Sequence, residues 1–169
     1  DLKLTPEQLA EAIAPDSVTG LVLCTPSNPT GATYDADELA ALGEVLKDHP
    51  EVSVLFDAMY DQLFYGGDLS ADLVDTVPEL ADQVITFNGF SKAYAMTGWR
   101  LGYAIGPQET IDAMAKLQSQ STSNATTFVQ YGGLAAFDVE QTLLDERRNI
   151  FERRRDLIVD KLNGLEGVE

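Results

Sequence analysis

A lysine set among small residues, Gly89-Phe90-Ser91-Lys92-Ala93, follows directly on an apolar segment that reads as a buried strand, and Arg100 stands eight positions on. An amine at a strand end near a guanidinium suits covalent capture of an aldehyde beside a phosphate. The amine is the nucleophile, and the planar fork of arginine donors matches phosphate oxygens. Ser91 offers a hydroxyl to the same anion. Asp57 closes the apolar run Val52 to Phe56, a costly place for a carboxylate without a partner. Set against a pyridinium nitrogen, it would keep that nitrogen protonated and make the ring an electron sink. Tyr60 lies three residues further, close enough to turn its hydroxyl toward a ring oxygen, and Asn28 brings an amide donor held beside Pro29.

Taken singly, each residue has a plainer reading. Lys92 alone is a loop lysine, Asp57 a turn or helix cap, Tyr60 a core tyrosine and Asn28 part of an ordinary Asn-Pro loop. Their joint placement changes this. In parallel sheets, ligand-binding residues gather beyond the carboxyl ends of strands, and Asn28, Asp57 and Lys92 each follow a different predicted strand. An amine, an anion for a ring nitrogen, donors for a ring oxygen and a cation for a phosphate together describe a site for pyridoxal 5'-phosphate. Lys92 is then the catalytic residue, and Asn28, Asp57, Tyr60, Ser91, Lys92 and Arg100 bind the cofactor. Asn28 also reaches the substrate carboxylate. With Cys24 the sole cysteine and His49 the sole histidine, neither an internal disulfide nor a cysteine and histidine metal cluster is expected.

The elements that carry these residues follow from periodicity and punctuation. Thr5, Pro6 and Gln8 announce a first helix with a capping box, and Asp35 with Glu38 a second, whose apolar face is Leu39, Leu42 and Leu46. Strands are expected at Leu21 to Thr25, Val52 to Phe56, Val84 to Phe87 and Gly102 to Ile105. The second is apolar enough for helices to cover both sheet faces. A Gly66-Gly67 loop separates the second and third strands. Helices follow at about Glu109 to Gln118, at Thr126 to Phe137 and at Val139 to Leu162, the last with Leu143, Ile150, Leu157 and Leu162 facing inward. The polar run Ser119 to Asn124 should interrupt them. Strands alternating with helices imply an α/β fold, a mostly parallel sheet layered with helices.

Residues 1–145 are expected to form part of a large cofactor-binding domain, and 146–169 a bridging helix and the start of a smaller second domain. The chain begins at Asp1 and stops at Glu169 just after a helix-stop signal, so both ends read as cut.

Twenty-eight acidic against eleven basic residues give a formal charge of −17. That field repels a phosphate backbone, so nucleic acid is not an expected partner. The arginines at 147, 148, 153, 154 and 155 are interleaved with acids and read as a solvated helix face. No apolar run approaches the roughly 20 residues needed to cross a bilayer, and no leader is evident, so a soluble cytoplasmic protein is expected. Strong acidity beside an ordinary 44% apolar content also fits adaptation to high salt.

The runs Ser27-Asn28-Pro29-Thr30-Gly31, Asp57-Ala58-Met59-Tyr60 and Gly89 to Gly102 resemble the fold-type I pyridoxal-phosphate aminotransferases of classes I and II. Asn88 to Arg100 and Gln118 to Asn124 are similar to the prokaryotic aspartate aminotransferase branch. The resemblance spans essentially the whole chain with order and spacing kept. It implies amino-group transfer between an L-amino acid, with aspartate the leading candidate, and a 2-oxo acid, in a homodimer with active sites near the subunit interface.

One departure concerns Gly89, where many members carry a serine that holds the phosphate. The family's phosphate loop, ring-stacking aromatic residue and distal carboxylate-binding arginine lie outside this segment, so the piece alone is expected to be inactive. Two alternatives stay open at this level. One is another fold-type I enzyme, such as a β-lyase or decarboxylase; the other is the ligand-sensing domain of a transcription regulator.

Overall fold

The computed structural model describes residues 2–14, 18–65 and 70–167. Four strands form one sheet in the order β1 (Gly20–Cys24), β2 (Ser53–Asp57), β3 (Val84–Gly89) and β4 (Gly102–Ile105). The first three are parallel and β4 returns antiparallel to β3. The mostly parallel α/β sheet expected from the alternation of elements is therefore present.

Helices α1 (Pro6–Ile13) and α2 (Ala36–Lys47) begin where their caps require. Gln8 N donates to Thr5 Oγ1 at 3.3 Å while Thr5 N donates to Gln8 Oε1 at 3.0 Å. Asp35 and Glu38 make the same reciprocal pair at 2.8 and 2.9 Å. Each box satisfies backbone donors that a helix start otherwise leaves to water. Lys3 pairs with Glu38 and ties the start of α1 to that of α2.

The core lies between these helices, α3 (Leu73–Thr76) and one face of the sheet. Leu9, Leu39, Leu42, Leu46, Val54, Phe56, Leu73 and Val84 are almost completely buried there, each contributing about 1.5–3 kcal/mol relative to exposure.

Coverage of both sheet faces does not hold for the described residues. Strand β2 alternates buried and exposed positions, and Val22 and Leu55, paired in register, lie bare on the face opposite the core. Continuous apolar sequence marks what a strand can bury, and here helices α1 to α3 cover one side only.

Strand β3 runs two residues beyond the expected Phe87, because Asn88 and Gly89 pair with Tyr103 and Gly102 of β4. Cross-strand pairing overrides the weak strand preference of both residues. Helix α4 (Gln108–Ser121) likewise continues into the polar run expected to break it. The hydroxyls of Ser119 and Ser121 donate back to the carbonyls of Lys116 and Leu117 at 2.7 and 3.2 Å, and the break comes at Ser123, in the left-handed region at φ 66°. The expected Gly66-Gly67 loop lies outside the described residues.

Helices α5 (Thr127–Phe137) and α6 (Gln141–Asn163) complete the chain. The inward face expected for α6 is wrong: Leu143, Ile150, Leu157 and Leu162 are all exposed, and Leu144 is the buried residue. A strict seven-residue stripe drifts around a straight helix, and what faces the domain is a neighbouring stripe, Leu144, Arg147, Phe151 and Arg155. No helix among the described residues is long and apolar enough to cross a membrane.

Candidate active site

The sheet's first two parallel strands end side by side, with Cys24 opposite Asp57 in register. Beyond them the chain turns sharply at both places. After β1, Thr25-Pro26 and Asn28-Pro29 are cis, and Gly31 at φ 71° closes the loop by donating its N–H to the Ser27 carbonyl at 2.8 Å. After β2, Asp57 Oδ1 accepts from Met59 N at 3.0 Å, which bends the chain so that Tyr60 projects toward the Asn28 loop. Asn28 Nδ2 then donates to the Tyr60 hydroxyl oxygen at 3.1 Å.

The lysine segment is fixed by its own neighbours. Phe90 is buried, with its ring 5.5 Å from Tyr94, 5.7 Å from Tyr103 and 5.0 Å from Phe137. It anchors the loop two residues before Lys92. The loop closes through Met96 N to the Phe90 carbonyl at 3.1 Å, Ala95 N to the Lys92 carbonyl at 3.1 Å, and Thr97 Oγ1 to the Ser91 carbonyl at 2.8 Å. Ala95 takes a left-handed conformation at φ 55° within it. Lys92 Nζ comes to 5.5 Å from the centre of the Tyr60 ring, a favourable seat for a cation over an aromatic face.

Asn28, Tyr60, Ser91 and Lys92 thus line one open cavity of about 850 Å³. The sequence brings these four together from three different strand ends. Asp57, half-buried, stands at the end of β2 and does not line that cavity. Arg100 lines a different cavity of about 740 Å³, together with Gln118, Thr122 and Asn124 from the polar run. Its backbone is left-handed at φ 56°, and its Nη1 donates to the Thr97 carbonyl at 3.0 Å. Lys92 is exposed where it lines the cavity.

Burial pushes the Cys24 thiol up, and the charge of Asp57 adds to it. The cysteine at the strand end is therefore a protonated neighbour of Asp57 near neutrality, not a competing anion.

Gly89 shows why no serine stands three residues before the lysine. A Cβ there would meet Gly102 Cα at 3.1 Å, the Leu101 carbonyl oxygen at 3.1 Å and Met59 Cε at 3.2 Å. Two of these are backbone of the paired strand and its approach, and cannot rotate away.

Two cavity residues escape a reading of the sequence. Arg147 and Arg155 belong to the cluster expected as a solvated helix face, yet both line the cavity. Arg147 Nη1 donates to the Ala93 carbonyl at 3.2 Å, next to the lysine, and the Arg155 guanidinium lies 4.7 Å from the Tyr65 ring centre while paired with Glu152 and Asp156. The signal lies in their spacing: Arg147, Phe151 and Arg155 recur every fourth residue, one helix face.

The sequence profile of the aminotransferase class I and II family matches residues 1–169. The chain is 49% identical over 166 residues to the aspartate/prephenate aminotransferase of Cereibacter sphaeroides, covering 98% of this chain and 41% of that protein. It is 45% identical over 165 residues to the aspartate aminotransferase of Geobacillus stearothermophilus, covering 98% of this chain and 42% of the relative. The crystal structure of the aspartate aminotransferase from Rhizobium meliloti superimposes with a TM-score of 0.93 at 45% identity, over 98% of this chain and 41% of that one. The chain thus spans about two fifths of the length of these relatives. With a family match along its entire length, on a sheet that carries the lysine, tyrosine and asparagine to one cavity, the chain belongs to the class I and II aminotransferases.

Proposed function

We propose that the protein containing this chain transfers an amino group between an L-amino acid, aspartate foremost, and a 2-oxo acid, using pyridoxal 5'-phosphate bound at Lys92. The observation that carries this reading is the convergence of Asn28, Tyr60 and Lys92: an amide donor at 3.1 Å from a phenol oxygen, and an amine at 5.5 Å over the same ring. The relatives named aspartate and aspartate/prephenate aminotransferases support the substrate class.

The donors Asn28, Tyr60, Ser91 and Lys92 of the shared cavity match the chemistry of the cofactor, and Asp57 and Arg100 are assigned to it from outside that lining. Lys92 would hold its aldehyde carbon covalently, Tyr60 and Asn28 its ring oxygen, Asp57 its ring nitrogen, and Ser91 and Arg100 its phosphate. Pyridoxal phosphate, when bound, supplies an electron sink for the charge left when a proton leaves the substrate α-carbon.

The residues then divide the work. Lys92, once its amine is free, would serve as the base that takes the proton from the substrate α-carbon, from its place in the lining of the cavity. Because the Tyr60 oxygen already accepts from Asn28, its own O–H proton points away from that bond and is free to donate into the cavity. Asp57 is oriented by the Met59 N–H on its Oδ1 at 3.0 Å, with the Cys24 thiol also bearing on its carboxylate. Asn28, at the cavity's edge, also offers a donor to the substrate carboxylate.

The same reading includes a homodimer, with the Gln118 to Asn124 segment near the partner, a division near residue 145 beyond which α6 leads to a second domain, and a place in the cytoplasm. The test is to give the full-length protein pyridoxal phosphate, aspartate and 2-oxoglutarate and follow oxaloacetate. Steady formation of oxaloacetate is expected. No turnover with aspartate or any other amino acid tried would overturn the transaminase reading.

A further inference from the structure

Between the end of β2 and the end of β3 lies a side-chain link that the roles above do not use. The last backbone bond between the two segments is Ala58 N to the Phe87 carbonyl at 2.9 Å. Beyond it the chains diverge, one toward Tyr60 and the other toward Lys92. The next connection is made by side chains. Asn88 Nδ2 donates to Asp61 Oδ2 at 2.8 Å, while Asn88 Oδ1 accepts from Gly89 N at 2.7 Å. Asp61 Oδ1 accepts from Gln62 N at 2.7 Å. Every polar atom of the pair facing its neighbour is matched donor to acceptor, so the orientation of both groups is determined.

The position of this link matters. Asp61 directly follows Tyr60, and Asn88 precedes Lys92 by four residues. Both groups are half-buried, and Asp61 also lines a small cavity of about 210 Å³ with Asn88, Asp72 and Tyr103. On the lysine side the backbone is held by β4: Asn88 and Gly89 pair with Tyr103 and Gly102, and Phe90 N donates to the Leu101 carbonyl at 3.3 Å. On the tyrosine side the segment is a single turn of 3-10 helix, Asp61–Leu63, whose bonds from Asp61 N to the Ala58 carbonyl at 3.0 Å and from Leu63 N to the Tyr60 carbonyl at 2.9 Å close the turn without tying it to β3.

We propose that Asp61 and Asn88 are positioning residues, a hydrogen-bonded clamp that fixes the Tyr60 turn to the Lys92 strand end and so sets the distance between phenol and amine. This rests on the proposed function, since it concerns the residues assigned there to the cofactor.

The pair can be inverted. In Asp61→Asn combined with Asn88→Asp, the amide now at position 61 accepts from Gln62 N through its oxygen and donates through its nitrogen to the carboxylate now at position 88, whose other oxygen accepts from Gly89 N. The swap keeps all three bonds. Each single change breaks the pattern: Asn88→Asp sets two carboxylates across the 2.8 Å contact, and Asp61→Asn must leave one donor facing another.

The experiment uses the full-length protein loaded with pyridoxal phosphate, in parent, both single variants and the swap. Borohydride trapping counts the lysines carrying cofactor, and kcat is expressed per trapped Lys92. The singles are expected to trap cofactor, to lose kcat by about 10- to 100-fold and to keep KM within about threefold; the swap is expected to return kcat to within about threefold of the parent. A role confined to stability would lower the trapped fraction and leave kcat per trapped lysine unchanged, which overturns the proposal. A swap no better than the singles also overturns it. Where a single variant does not fold, the swap decides alone: folded and active supports the clamp, unfolded or inactive refutes it. A parent that traps no cofactor at Lys92 defeats the proposed function itself, whereas a trapping parent with unaffected variants defeats only the clamp.

Discussion

Lys92 Nζ stands 5.5 Å from the centre of the Tyr60 ring, and the Tyr60 oxygen takes a hydrogen bond from Asn28 at 3.1 Å. Three strand ends thereby act through one aromatic side chain: its face receives the amine and its edge receives the amide. The sheet makes this possible because β2 lies between β1 and β3, so the middle strand's tyrosine can reach both neighbours.

Tyr60→Phe separates the two contacts. The ring face remains for Lys92, and the acceptor for Asn28 and the donor into the cavity are lost. Cofactor should still be trapped at Lys92, with kcat lowered about tenfold. Stopped-flow measurement of the first half reaction checks this, and an unchanged rate would show that the hydroxyl has no part in the chemistry.

Gly89→Ser tests the departure from the family's phosphate-holding serine. Since the added Cβ would press on the Gly102 Cα and the Leu101 carbonyl at 3.1 Å each, the variant should be less stable by about 1–3 kcal/mol, with no gain in cofactor affinity. Chemical denaturation and a cofactor titration read the two effects separately.

The caps at Thr5 and Asp35, the strand positions and the strand-end location of Asn28, Asp57 and Lys92 are all legible in the sequence, because each follows from local chemistry: a capping box, an apolar run, a breaker. The rest depends on partners that local patterns do not show. The α6 face is misread from sequence because Leu143 and Leu157 mark a seven-residue repeat, while the helix meets the domain through Leu144 and the stems of Arg147 and Arg155. The extension of β3 to Gly89 needs β4 beside it. Arg100's cavity, shared with Gln118 and Asn124, joins segments that the sequence keeps apart.

Asp61 gives a pH dependence with a definite sign. Burial pushes its carboxyl above the ordinary 3.8, the bonds from Asn88 and Gln62 pull the other way, and the charge of Asp72 raises it further. The tyrosines near it, Tyr94 and Tyr103, are themselves pushed up by burial and titrate far above this window. The folded state therefore keeps the Asp61 proton to higher pH than the unfolded chain, so this group favours folding most at low pH and loses that contribution as pH rises from about 3.8 through the folded value. Melting temperatures of Asp61→Asn and parent, measured across that range, should shift in the variant's favour as pH rises. A constant difference would contradict the assignment.

The charge of −17 predicts a response to salt. Repulsion among carboxylates is screened within a few ångströms at molar ionic strength, about 3 Å at 1 M, so the melting temperature should climb between dilute buffer and molar potassium chloride. Equal melting temperatures would refute the inference of salt adaptation.

The central claim, that Lys92 is the cofactor lysine, is tested most directly by reducing the full-length protein with borohydride in the presence of pyridoxal phosphate and mapping the modified peptide by mass spectrometry. A stoichiometric adduct on Lys92 that disappears in Lys92→Ala is the predicted result; modification at another lysine, or none at all, would contradict the account.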